Sequence, residues 1–270
     1  MRLKLTGILV VAFLASDAAS SVEVRAAANL PNCLCTYTVP PLGMTGDDYY
    51  SSISWNTSPS WCGSPMVSLA DSYGIKSSHW GAGYGFFQCD QTLPFARSMN
   101  AITALALSGP NAVTGTLFQF QTQAFPLIDW AYLWTLNKLD DTRGQCEHGD
   151  MKQFNASESG GTIKLYIRRS GSCQMGFFYG NETAERAGIL VHEARHVGGP
   201  GHYNTYQDFN FGSGGAYEFQ ATWLRQYAEN GQAAPGDMRC SAADRAQTIL
   251  FNNFVIPAPT FPDPEVCSLP

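Results

Sequence analysis

The sequence predicts an α+β fold: a small mixed or antiparallel sheet packed on several helices and stabilised by disulfides. Three observations predict it. Residues 162–179 alternate apolar and polar side chains over two short runs, the period-two signature of strands. Stretches near 94–108, 126–139 and 216–230 instead repeat apolar side chains every three or four positions, as amphipathic helices do. The chain carries 8 cysteines, all beyond residue 32. An even count of that kind belongs to exported, disulfide-tied proteins.

The amino terminus supports the same reading. Arg2 and Lys4 precede an apolar run over residues 5–14, followed by small residues. That is the layout of a secretory signal, and the run is too short to span a bilayer. Cleavage after Ala18 fits the small residues Ser16 and Ala18, which leaves 19–270 as a single secreted domain. Removing 1–18 takes away Arg2, Lys4 and Asp17, so the formal charge moves from −6 to −7. With no basic run, nucleic-acid binding is not expected, and nothing beyond the signal suggests a membrane anchor. Three glycosylation sequons stand at Asn56, Asn155 and Asn181.

Residues 29–90 are rich in Pro, Gly, Ser and aromatic side chains without a helical period, and form a loop-rich, disulfide-tied region. Cys33 and Cys35 are too close to pair with each other, so each reaches elsewhere. A core spans 91–255. Its first helix covers 94–108, where Phe95, Met99, Ile102 and Leu105 share a face and Gly109-Pro110 ends the run. The second covers 126–139, with Pro126 suited to the first turn. Residues 140–150 read as a polar loop. A hairpin is expected next: Ile163, Leu165 and Ile167 on one strand, a turn at 169–172, and Cys173, Met175, Phe177 and Tyr179 on the other.

The chain then enters a helix capped by Asn181 or Thr183, with Glu182 and Glu185 favourable near its positive end. A later helix over 216–230 places Phe219, Trp223 and Tyr227 on one face, with Gly231 as its stop. Pro235-Gly236 reads as a turn before a last helix from Ser241, as N-cap, to about Phe254. The tail, 256–270, is Pro-rich and tied down by Cys267.

The helix that follows the expected hairpin carries the chemistry. Three of the 5 histidines lie within His192-Glu193-Ala194-Arg195-His196-Val197-Gly198-Gly199-Pro200-Gly201-His202. On a helix, His192 and His196 stand one turn apart on one face, so both imidazoles reach one metal ion. Glu193, one step round, is placed to act on water rather than to ligate. A catalytic zinc needs three protein ligands and an open position. Were the helix to continue, His202 would lie about 15 Å along the axis from His192 and could not share the ion. Gly198-Gly199-Pro200-Gly201 supplies the break that turns the chain back. Glu218, on the following helix, is the rival third ligand; otherwise it orients a ligand histidine or faces solvent.

These positions match H-E-x-x-H-x-x-G-x-x-H, so the stretch resembles the zinc signature of the metzincin metallopeptidases. His192, Glu193, His196, Gly199 and His202 each fall on a defined position of it. The resemblance implies a zinc helix beside a sheet whose edge strand binds peptide in extended form, with Zn2+ on His192, His196 and His202 and Glu193 as the general base. It implies a secreted zinc metalloendopeptidase acting on a protein or peptide substrate. It also implies a methionine turn beneath the zinc, for which Met238 is the only methionine after the motif. Tyr203, Tyr206 and Tyr217 are candidates to steady an oxyanion. Two other functions use the same residues. One is an exported binding protein with a structural or vestigial metal, marked by a fourth protein ligand. The other is a zinc hydrolase of non-peptide amides, marked by its substrate.

Overall fold

The computed structural model describes residues 28–29, 36–37, 75, 77–80, 93–107, 142–145, 156–166, 176–178, 182–197, 202, 215–230, 236–254 and 267. The signal, the sequons, the 126–139 helix, Tyr203 and Tyr206 lie outside them. The described elements are an α+β set. Strands β1 (Ala28–Asn29) and β2 (Thr36–Tyr37) pair antiparallel. A short 3-10 turn covers Ser77–His79. Helix α1 (Pro94–Leu107) precedes β3 (Thr142–Gln145), β4 (Ala156–Ser159) and β5 (Thr162–Tyr166). Helices α2 (Thr183–His196), α3 (Ala216–Asn230) and α4 (Gly236–Asn253) complete the set.

The central element is α2. It packs against α1, α3, α4 and β4 at once. That explains why eleven of its residues, 183–184 and 186–194, are buried, including Arg186, His192 and Glu193. The face expected on α1 is the one that is buried: Phe95, Met99, Ile102 and Leu105 are all at most 2% exposed. Phe219, Trp223 and Tyr227 on α3 are equally buried, and Trp223 stacks on Tyr227. Trp80 meets Phe95 and Phe178 edge-on, joining the 3-10 turn to this core.

Helices α2 and α3 approach closely at Gly188. A Cβ there would sit 3.1 Å from the Leu224 Cγ, inside ordinary contact distance. At the far end of α3, Arg239 closes the helix: its Nε donates to the Ala228 carbonyl (2.8 Å) and its Nη2 to the Glu229 carbonyl (2.6 Å). Those are two of the carbonyls a helix terminus leaves without intrahelical partners. A disulfide between Cys240 and Cys267 ties the tail to α4, as expected for Cys267.

The sheet differs from the expected hairpin. Strand β5 is where the alternation placed it, with Ile163 and Leu165 buried. Its antiparallel partner is upstream β4, and its other neighbour is β3, in parallel, giving the order β3-β5-β4. The downstream run is not a strand in its described part: Phe177 and Phe178 form a turn, although the Phe177 N–H donates to the Tyr166 carbonyl (2.9 Å). The reason is the Gly160-Gly161 pair, whose φ values of 60° and 86° suit a tight two-residue hairpin turn at little steric cost. The 140–150 stretch likewise contains β3 rather than only loop.

Two helix boundaries also differ. Glu182 is the N-cap of α2 and makes no side-chain cap bond. Thr183 is already helical, and its hydroxyl accepts from Arg186 Nη2 (2.9 Å). Helix α4 starts at Gly236, so Ser241 is an exposed interior residue rather than a cap. Among the described residues no helix is long and apolar enough to cross a membrane.

Candidate metal centre

Helix α2 carries His192 and His196 into the same space, and the chain beyond it returns His202 to them. The three Nε2 atoms lie 3.2 Å (His192–His196), 3.0 Å (His196–His202) and 2.9 Å (His192–His202) apart. Helix α2 ends at His196, with Val197 as its C-cap, and His202 meets the other two, as expected; residues 198–201 lie outside the described residues. Glu218 does not join the group, and it is buried within α3 rather than facing solvent. His79 does not join it either.

The spacing fits a metal ion. A tetrahedral zinc with nitrogen at roughly 2.0–2.1 Å sets its ligand atoms about 3.3–3.4 Å apart, only slightly wider than found here. Protons fit it poorly. Each Nε2 of a neutral imidazole is either a donor or an acceptor. Three mutual contacts then leave at least one pair with like polarity, whichever tautomers are chosen. A cation facing three lone pairs removes the conflict. The triad is thus a group that could hold a metal ion. Among the described residues no fourth His, Cys, Asp or Glu belongs to it.

The surroundings keep the rings neutral. His192 is 8% exposed, while His196 and His202 are half-buried. Burial first, then the neighbouring imidazoles His196 and His202, hold His192 well below its ordinary value. Burial and then His196 lower His202 to about 4. Neutral imidazole is the form that binds metal, so protons compete weakly at neutral pH.

Helix α3 lines one side. The Tyr217 ring stacks on His202 at 4.5 Å between centroids and 25° between planes, and meets His192 at 4.6 Å and 65°. Gln220, one turn on, acts on His192 as a hydrogen-bonding neighbour and works against the lowering of its pKa. No bond of standard geometry closes onto the His192 Nδ1, which is buried. The looser contact is the better description of that pair. Arg195 lies over the Phe219 ring at 4.6 Å.

Glu193 points to a different neighbourhood. It is 7% exposed, and the Glu158 backbone N–H acts on its carboxylate as a hydrogen-bonding neighbour. The hairpin explains that donor. The pair flanking a two-residue turn, Ser159–Thr162, exchanges ladder bonds, and the next pair, Glu158–Ile163, does not. The Glu158 N–H therefore faces away from β5, toward α2. The Glu158 side chain accepts from the Gly161 N–H (2.7 Å) and fixes the turn. Burial first, then the Glu158 carboxylate, push Glu193 up to about 8. Tyr166, whose hydroxyl is 2.7 Å from that of Ser157, also feels the Glu193 charge.

Met238 is not beneath the histidines. It is part of α4 and shares a small cleft with Glu182, Ala184 and Glu185, at the opposite end of α2. There Arg245 also pairs with Glu185 (2.7 Å). The expected methionine turn is thus absent at the one position after the motif that could supply it. The sequence reading missed Glu158, whose only signal was Gly160-Gly161, and Gln220, for which there was none. Comparison with protein-family models, curated proteins and solved structures gives no match.

Proposed function

We propose that the chain is a secreted zinc-dependent endopeptidase, with His192, His196 and His202 as ligands and Glu193 as general base. The observation that carries this reading is the convergence of three imidazole nitrogens, with the buried Glu193 next to His192 in the chain. Zinc suits three neutral imidazoles. When bound it would supply Lewis acidity toward a carbonyl oxygen and lower the pKa of a water. Glu193 takes the proton of the attacking water on its carboxylate and delivers it to the leaving nitrogen. The Glu158 N–H keeps that carboxylate oriented through both transfers.

Strand β4 supports a peptide as substrate. It holds an outer position among the described strands of its sheet, next to α2. An outer strand offers backbone groups to an extended chain, the basis of β-augmentation. The export signal read in residues 1–18 supports secretion.

The test is Glu193→Gln in the zinc-loaded protein. Zinc should remain near one per chain while cleavage of a broad peptide library falls by roughly 10²–10⁴. Undiminished cleavage in the variant, or chelator-insensitive cleavage by the parent, would overturn the proposal. Stoichiometric zinc with no cleavage of any peptide would favour the binding protein instead.

A further inference from the structure

His202 is the only ligand of the triad outside a helix. His192 and His196 are fixed relative to each other by the α2 backbone. His202 is fixed by nothing of that kind, yet its Nε2 is as close to the other two as they are to one another. Some side-chain contact must set its ring, and Tyr217 makes a face-to-face one. The same phenol ring touches His192 edge-on, so it bridges the histidine outside the helix and the buried one within it.

Tyr217 is itself well held. It packs against the core near the start of α3. Residues 217, 220 and 224 lie at i, i+3 and i+7, on one helix face. That face meets α2 where Leu224 faces Gly188. Nearby, Phe219 lies under Arg195.

We propose that Tyr217 is a positioning residue: its ring is the platform that sets the His202 imidazole against His192, so the three nitrogens converge before any ion arrives. This rests on the reading that the triad holds a metal. An imidazole that gives its lone pair to a cation becomes electron-poor, and the face of a phenol ring is electron-rich, so the stack strengthens on binding. The aromatic face carries this role, and the hydroxyl is not required for it.

The test compares the parent, Tyr217→Phe and Tyr217→Leu, using zinc titration and the histidine ring-proton NMR shifts of the chelator-treated protein. In the metal-free parent, the His202 ring protons should be displaced by the ring current of Tyr217. The displacement should persist in Tyr217→Phe and vanish in Tyr217→Leu. Zinc affinity should fall roughly 10–100-fold in Tyr217→Leu, the range for residues that orient a ligand, and stay within about threefold of the parent in Tyr217→Phe. The proposal is overturned by parental zinc affinity in Tyr217→Leu, by a tenfold or greater loss in Tyr217→Phe, or by an undisplaced His202 in the parent. The last result decides the matter even if Tyr217→Leu does not fold. A parent with displaced His202 protons but no zinc binding would sink the metal reading and leave the stack standing.

Discussion

Replacing Gly188 by alanine tests whether the closeness of α2 and α3 sets the metal site. The added Cβ would lie 3.1 Å from Leu224 Cγ and 3.3 Å from each of its Cδ atoms. Carbon atoms prefer about 3.5–4.0 Å, so all three contacts are short by several tenths of an ångström. Leu224 is fully buried, and its branch point as well as its methyls face the glycine, so the side chain has no room to turn aside. Two opposed terms decide the sign. Helix propensity favours alanine over glycine by about 0.8–1 kcal/mol, whereas overpacking costs about 1–3 kcal/mol. The net effect is a loss of up to about 2 kcal/mol. Leu224→Ala removes the collision, at its own cost of about 2–5 kcal/mol for the cavity. In that background Gly188→Ala should become stabilising, and the double-mutant cycle should return a coupling of about 1–3 kcal/mol. Urea unfolding with chelator present measures it. Because α3 can relieve the overlap only by moving outward, Tyr217 and Gln220 retreat from His192, and zinc affinity should fall as well. A Gly188→Ala protein stabilised by the full propensity term, with coupling to Leu224 below about 0.5 kcal/mol, would refute the reasoning.

Two further predictions follow from the same packing. The first concerns pH. His192 and His202 refuse protons in the metal-free fold that the unfolded chain accepts below 6.5, so their contribution is lost as pH falls from 6.5 toward 4. Glu193 has the opposite sign: its folded carboxyl keeps a proton that the unfolded one releases, so its contribution is present below 4.5 and lost as pH rises toward 8. Chelator-treated protein should therefore lose stability on both sides of about pH 6.5, and Glu193→Gln should abolish the alkaline loss; an unchanged profile in that variant would contradict the assignment. The second concerns Arg239→Ala. It strips two donors from the carbonyl end of α3 and should cost about 1–3 kcal/mol in urea unfolding. Zinc stoichiometry should not change, since Tyr217 lies at the other end of that helix; stability equal to the parent would show that the capping bonds contribute nothing.

Helices were legible because their periods are long and their apolar faces wide. The face Phe95, Met99, Ile102 and Leu105, and the triplet Phe219, Trp223 and Tyr227, are buried as a period near 3.6 requires. The clustering of His192, His196 and His202 was legible for a stronger reason: only a chain break can bring a histidine ten residues away back to the first two. Strand pairing was not. Strand β4 reads Ala-Ser-Glu-Ser, with no β-branched or aromatic residue and only Ala156 buried, so propensity gives it no signal. The apolar run around Phe177 and Phe178 looked like the better partner, but its aromatic rings belong to the core through Trp80. Helix α4 began early because Met238 and Ala242 bury against the first turn of α2, a tertiary contact invisible in local sequence.

The site's two chemical parts are held by different layers of the molecule. Consecutive residues on a helix point about 100° apart, so His192 and Glu193 pack against different elements. His192 faces α3, where Tyr217 and Gln220 meet it; Glu193 faces the β4–β5 hairpin, where the Glu158 N–H meets it. Helix α2 meets both because it is buried on nearly every side, with Gly188 where it faces Leu224 of α3. The placing of His192 and the placing of Glu193 are thus separable properties of one helix. An aromatic ring on α3, and not Met238, lies against two of the three members of the triad. Disturbance of α3 should therefore reach the three histidines as a change in their spacing, and disturbance of the Gly160-Gly161 hairpin should reach Glu193 as a change in its proton affinity.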